Sequence, residues 1–282
     1  MLRPEVIVST YNNPVALDLC LQALFCQAAQ DFSVCIADDG SGGATQAVVD
    51  EWQERFCASR FRHLWHPDQG FQKNLILNKA IESSTSEYLI FIDGDCLACP
   101  WHVQRHLKLC APSRFVSGSI IRMPWAVNPL LSRQLIESRE IFSYRWLKAH
   151  QCIDRVGTFL KTAILPAGVS NFLEIISPVQ KVWNGCNSSG WRSDLLRVNG
   201  FDETMLYGSE DVEMGVRLNN AGIKGRHIRY TAPLLHVEHS RGYADPVVAA
   251  RNKVYMKSVR RSGKSWTENG IHKPKDQVPC PP

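Results

Sequence analysis

The sequence predicts an α/β fold, a mostly parallel central sheet flanked by helices, on three observations. Short apolar β-rich runs alternate with segments of helical spacing over roughly the first 120 residues, the rhythm of strands joined by crossover helices. One run, Tyr88 to Ile92, carries no charge at all, as expected of a central strand covered on both faces. Each run ends in polar residues, so the carboxyl ends of the strands should form one crevice, where open α/β sheets bind their ligands.

The elements follow in order. Val6 to Thr10 is the first strand, and Tyr11-Asn12-Asn13-Pro14 a polar turn whose proline opens a helix. Leu17, Leu21 and Leu24 recur at helical spacing and place that helix over 14–28. Phe32 to Ala37 is the second strand, ending in Asp38-Asp39-Gly40, and the next helix runs through Val48, Val49 and Trp52. Phe61 to Trp65 is the third strand; a loop from His66 to Gly70 leads to a helix over Phe71–Ile81 that carries Lys73, Asn74 and Asn78. The fourth strand, from Tyr88, ends in Asp93-Gly94-Asp95. Two carboxylates beside a glycine can hold a divalent cation and, through it, a diphosphate, although an isolated pair of this kind is commonly a turn with solvated acids.

Cys96, Cys99, His102 and His106 offer zinc-ligand types, but they lack the separation of about a dozen residues between pairs usual in fingers. Buried thiols and a helix opened by Pro100, with His102 and His106 on one face, is the expectation. Phe115 to Ile121 reads as a strand, 128–149 as one longer helix, and Phe159–Leu165 and Phe172–Ile176 as shorter pieces. Arg133, Arg139, Arg145, Lys148 and Lys161 mix with aromatics there, which suits either an ordinary helical subdomain or an acceptor loop or membrane-resting patch. Asn199-Gly200 is a turn, and Ser209 is placed to cap a helix with Glu210 and Asp211 in its first turn. Asp211, Met214 and Leu218 share one side of that helix, so Asp211 faces inward, as a structural cap or a catalytic base. Residues 241–262 form a basic helix, and 263–282 read as a flexible tail.

Composition narrows the classes. A chain of 282 residues, 44% hydrophobic, is long enough for a large core. A net charge of +5 suits anionic ligands or an anionic membrane surface and is too weak to argue for nucleic acid. No apolar run approaches the roughly 20 residues that span a bilayer, and the start lacks a signal-peptide core. The expectation is a cytoplasmic chain, peripheral to the inner face of the membrane, with ten reduced cysteines. No G-x-G-x-x-G or G-x-x-x-x-G-K-[ST] occurs, which argues against a dinucleotide site of the Rossmann type and against a P-loop.

V-I-V-S-T-Y-N, then A-D-D-G-S, then K-N-x-x-x-N-K-A, then F-I-D-G-D, in that order, resemble the inverting family 2 glycosyltransferases of the GT-A fold. The resemblance covers residues 4 to about 120. It implies that Thr10, Tyr11, Asn12 and Asp38 or Asp39 hold the nucleotide, that Lys73 and Asn78 lie near the donor, that Asp93 meets the ribose or sugar, and that Asp95 meets a metal. The stretch from Trp183 resembles the carboxyl half of the β-1,4-galactosyltransferase and chondroitin polymerase group, whose pattern runs N-G-F and then W-G-G-E-D. Here Tyr207 stands at the Trp position and Ser209 at the second Gly. This resemblance implies that Asp211 is the base and that Glu210 helps hold the acceptor sugar, with Tyr207, Trp183 and Asn187 on the acceptor side. It also implies that His239, and His236 three residues earlier, complete a site for Mn²⁺ or Mg²⁺ with Asp95. Imidazole together with carboxylate and phosphate oxygens suits Mn²⁺.

The organisation expected is one GT-A domain over 1–262, made of a nucleotide-sugar half (1–122), a helical insertion (123–182), an acceptor half (183–243) and the basic helix (244–262), before the tail. The function expected is metal-dependent inverting transfer of a hexose or N-acetylhexosamine from a UDP-sugar to a hydroxyl of a glycan or glycolipid, in surface polysaccharide synthesis. Two rivals fit the same sheet: a nucleotidyltransferase making a nucleotide sugar, and a non-catalytic nucleotide-sugar or glycan-binding module.

Overall fold

The computed structural model describes residues 2–162, 167–240, 242 and 244–273. Four parallel strands build its first half: β1 (Glu5–Thr10), β2 (Ser33–Asp38), β3 (Phe61–Trp65) and β4 (Tyr88–Asp93). They are joined by helices α1 (Pro14–Phe25), α2 (Gly43–Phe56) and α3 (Lys73–Ser83). Alternation explains the uncharged runs. Val6, Val8, Ile90 and Ile92 pack on one face with Leu17, Trp52 and Val103, while Ile7, Leu89 and Phe91 pack on the other with Ile76, Trp183 and Leu218. Both faces are covered, so a charge there needs a partner, as Glu5 of β1 has in Arg62 at 2.7 Å.

The first sheet has seven strands, and its other members come from later in the chain. After β5 (Cys96–Ala98) and α4 (His102–Leu109) come β6 (Arg114–Ser117) and β7 (Ile120–Arg122). The expected single strand over 115–121 is thus two strands that lie in different sheets. The expected long helix over 128–149 is also broken, into α5 (Arg133–Glu137), a turn of tighter helix and α6 (Tyr144–Ala149). Arg139 adopts a left-handed conformation, φ 62°, which no continuous helix allows. Helices α7 (Val156–Thr162) and α8 (Ala167–Ile176) follow, and residues 163–165 of the expected Phe159–Leu165 piece lie outside the described residues.

The chain then returns to the sheet through β8 (Asn187–Trp191), antiparallel to both β4 and β6, and continues through α9 (Arg192–Arg197), α10 (Glu210–Asn220), β9 (Lys224–His227), β10 (Leu234–His236) and α11 (Pro246–Ser262). The strand order is β3-β2-β1-β4-β8-β6-β9, and a small second sheet runs β5-β10-β7. No helix among the described residues is long and apolar enough to cross a membrane.

Residues 263–273 depart from the expected flexible tail. Thr267 is buried and donates to Asp202, and Asn199 donates its amide to the carbonyls of Thr267 and His272, so this segment is fastened to the Asn199-Gly200 turn. The remainder of the tail, 274–282, lies outside the described residues.

Candidate active site

The register of the sheet creates the site. Thr10 pairs with Asp38 across β1 and β2, and Ser9 with Asp93 across β1 and β4, so the polar ends of three parallel strands finish side by side. Above them lies a cavity of about 690 Å³ whose lining includes Thr10, Tyr11, Asn12, Asp39, Lys73, Asp93, Asp95 and His239. A side chain between the two acids would be crowded at Gly94. Its N–H donates to Ser9 O at 2.7 Å, and a Cβ there would lie 3.1 Å from that oxygen and 3.2 Å from Thr10 Oγ1.

The two acids take different partners. Asp93 Oδ1 accepts from Ser9 Oγ and from Lys73 Nζ, both at 2.6 Å. Burial works against the Lys73 ammonium, but the Asp93 charge outweighs it and holds the group protonated, its pKa above the usual lysine value. Asp95 Oδ2 lies 2.7 Å from His239 Nε2 and 3.6 Å from His236 Nε2. Burial disfavours its charge, yet the His239 hydrogen bond and the nearby His236 keep the carboxyl below the usual range. Asp95, Cys96 and His236 also present ligand atoms within 4.8 Å of one another. One carboxylate between two imidazoles is a donor set that fits Mn²⁺ or another first-row divalent ion. His236 is carried there by β10, which pairs with β5 so that His236 stands opposite Cys96.

The paired acids after β2 divide in the same way. Asp39 faces the cavity and accepts from His66 Nε2 at 2.8 Å and Gln72 N at 2.9 Å. Burial raises its pKa despite those bonds. Asp38 is turned away, buried, and occupied by the Ser41 N–H at 2.8 Å and by His63 at 3.1 Å. Tyr11 is half-exposed at the rim, its hydroxyl donating to Asp68 Oδ2 at 2.8 Å. Asn12 holds the loop after β2, accepting from Gly42 N at 2.9 Å.

Glu210 and Asp211 open α10. Asp211 Oδ2 accepts from the Gly185 N–H at 2.9 Å, and Oδ1 from Val212 N at 2.7 Å. Burial raises the Asp211 pKa, and those N–H groups and the Lys73 charge only partly offset it. Burial and then the Asp211 charge push Glu210 up to about 7. Since Lys73 acts on both acids while pairing with Asp93, the start of α10 and the end of β4 share one electrostatic environment. Ser209 occupies the cap position but is left-handed, φ 70°, and makes no capping bond with its side chain; Glu210 accepts from Gly208 N at 2.6 Å instead. Tyr207 lies edge-on to Phe71, a wall residue of the cavity, with ring centroids 6.1 Å apart.

Three further expectations are corrected. Asn78 is buried away from the donor cavity; it donates to Phe201 O and Glu203 Oε1 and accepts from Phe201 N, clamping the turn before α10. Trp183 is a core residue, packed on Phe91 and Phe115 with centroids 5.4 and 5.7 Å away. Asn187 is fully buried, spanning the carbonyls of Ser119 and Ala232 and the ring of His106. His106 and the neighbouring His102 are buried without a gathering of Cys99, and burial depresses both imidazoles, so their helix is structural. Sequence reasoning passed over Phe71, Trp125 and Ser9 at the cavity, and His66, which bonds the cavity residue Asp39. Only the position of Ser9, one residue before a strand end, could have signalled its contact with Asp93.

Comparison with known proteins gives the family and the fold. Residues 5–160 match the family described as glycosyl transferase family 2, and residues 169–240 match the N-terminal domain of galactosyltransferase. Validoxylamine A glucosyltransferase of Streptomyces hygroscopicus subsp. jinggangensis is 30% identical over 231 residues, covering 78% of this chain and 52% of the relative. Chondroitin synthase of Escherichia coli is 22% identical over 242 residues, covering 79% of this chain and 33% of the relative. This chain therefore spans about half or less of these relatives' length. Among solved structures, a mannosyltransferase from Pyrobaculum calidifontis in complex with GDP-Man and Mn²⁺ superposes with TM-score 0.62 at 20% identity, covering 92% of this chain and 64% of that one. TarS of S. aureus in complex with UDP-GlcNAc gives 0.61 at 13% identity, covering 91% and 66%. These two likenesses establish the fold.

Proposed function

The chain belongs to glycosyl transferase family 2, and from that premise we propose that it moves a hexose or N-acetylhexosamine from a UDP-sugar to a hydroxyl of a glycan or glycolipid, with inversion, in surface polysaccharide synthesis. The observation that carries the reading is the convergence on Lys73. Its ammonium joins Asp93 at the donor crevice and lies close enough to Glu210 and Asp211 to act on both. Donor phosphate chemistry and acceptor deprotonation thus have neighbouring seats. The bound GDP-Man and UDP-GlcNAc of the structural neighbours support a nucleotide-sugar donor.

In this reading Tyr11 covers the base, Asp39 accepts from its N–H or from the ribose, and Lys73 counters diphosphate charge. Asp95, His239 and His236 would hold the divalent ion, which when bound offsets negative charge on the leaving diphosphate. Asp211 accepts the proton of the attacking hydroxyl, and its raised pKa makes it a stronger base than a solvated aspartate. The Gly185 N–H fixes the orientation of that carboxylate. Residues 1–262 act as one catalytic unit, because strands from both halves complete the same sheet.

The test is UDP release from a panel of nucleotide sugars with and without Mn²⁺, with an acceptor mixture, for the wild type and Asp211→Asn. Transfer should fall by about 10²–10⁴-fold in the variant, the usual worth of a positioned base, while UDP affinity stays unchanged. Wild-type transfer by Asp211→Asn removes that residue from the mechanism.

A further inference from the structure

A second cavity, of about 330 Å³, lies along β7 and shares no lining residue with the donor crevice; it is lined in part by Arg122, Arg155, Lys161, Arg229 and Asn184. Its charge is one-sided. Four cations face one carboxylate, Asp154, an excess of three positive charges. Asp154 is already engaged, accepting from Thr158 Oγ1 at 2.5 Å and lying 3.8 Å from Arg155. Arg122 has Glu238 at 3.9 Å. Among the described residues, neither Lys161 nor Arg229 has a carboxylate within ion-pair distance.

Lys161 is the unusual member. It is 8% exposed, and its ammonium donates to Ile120 O at 2.5 Å, which uses one of its three N–H groups. Burial and the charges of Arg229 and Arg155 push its pKa down to about 8. Like charges gathered in a half-enclosed pocket raise the energy of the free protein, and an anion seated among them reverses that cost. Arginine forks suit carboxylate and phosphate oxygens in particular.

Position ties this pocket to the transfer site. Asn184, in the pocket wall, donates to Gly118 O at 3.2 Å, and the next residue, Gly185, holds Asp211 Oδ2 by its N–H at 2.9 Å. Arg122, also in the lining, lies on β7, which pairs with β10 and sets Arg122 level with His236. We propose that this pocket is the acceptor's anion subsite: it seats a carboxylate or phosphate carried by the acceptor saccharide while a hydroxyl of that saccharide meets Asp211. The inference rests on the reading of Asp211 as the base, and it assigns the acceptor to acidic sugars or sugar phosphates rather than neutral glycans.

The experiment is ligand-observed NMR titration of the full chain, first with UDP and Mn²⁺, and then, both with UDP saturating and without it, with methyl β-glucuronide, glucose 6-phosphate and neutral methyl β-glucoside. At least one anionic probe should bind at least tenfold tighter than the glucoside, and which one it is distinguishes carboxylate from phosphate. Arg229→Gln and Arg155→Gln, at half-buried and exposed positions that folding tolerates, should each weaken the anionic probe at least fivefold and leave UDP affinity unchanged. Equal binding of all three probes, binding of none, or unchanged anion affinity in both variants overturns the inference. Failure of UDP to bind counts instead against the transferase reading, and the titrations without UDP still decide the pocket.

Discussion

Asn78→Ala separates a structural clamp from a donor-binding residue. Asn78 makes three hydrogen bonds at 2.8–2.9 Å, two of them to the backbone N–H and C=O of Phe201. The side chain is 2% exposed, and the Asn199-Gly200 turn is folded so closely over it that a Cβ on Gly200 would lie 2.2 Å from Asn78 Oδ1. Truncation removes all three bonds and leaves the buried Phe201 groups short of a partner. At about 1 kcal/mol net for each bond the loss is ~3 kcal/mol. With an unfolding entropy of about 2.1 cal/mol/K per residue, ~0.6 kcal/mol/K for the whole chain, the melting temperature should fall by about 5 °C. Urea unfolding followed by tryptophan fluorescence reads the first figure, and calorimetric UDP titration supplies the control. A clamp predicts lost stability at unchanged UDP affinity. An unchanged unfolding midpoint together with a tenfold loss of UDP affinity would refute the reasoning and return Asn78 to the donor site.

Asp95→Ala should abolish the Mn²⁺-dependent part of UDP binding, because it removes the carboxylate that lies against both His239 and His236; calorimetry with and without Mn²⁺ checks this, and wild-type metal dependence would exclude Asp95 as a ligand. Transfer should decline as pH drops through the raised pKa values of the Glu210 and Asp211 pair, since a protonated base accepts nothing. In Asp211→Asn the negative neighbour that helps raise Glu210 is gone, so the Glu210 carboxyl should titrate below its wild-type value of about 7; carboxyl-observed NMR against pH reads this, and an unmoved titration refutes the coupling.

What the sequence made legible was local. The uncharged Tyr88–Ile92 run announced a strand with two covered faces, and the acids behind it marked the crevice, because alternation and strand ends are properties of neighbouring residues. The misassigned residues depend on partners far along the chain. Asn78 resembles a ligand-facing helix polar group until Phe201, 123 positions later, takes its bonds. Asn187 and Trp183 sit in a glycine-rich segment that looks like an acceptor loop, yet the sheet carries one inward to His106 and the aromatic core encloses the other. Of Asp38 and Asp39, adjacent and chemically identical, only the turn to Ser41 and His63 decided which was occupied. The break at Arg139 had no signal, since arginine favours helices and nothing in its neighbours announces a left-handed residue there.

Strand β8 has a consequence for how the molecule is made. It inserts between β4 and β6, so the most hydrophobic strand of the amino-terminal half has its second neighbour supplied by Asn187–Trp191, about a hundred residues later. A ribosome that has released β4 has released a strand with one unpaired edge, and the edge stays open until Asn187–Trp191 has been translated. Assembly must therefore wait, and the interval is the vulnerable one for misassociation. A fragment ending near residue 122 would keep that wound permanently and should precipitate, however complete its nucleotide crevice looks on paper.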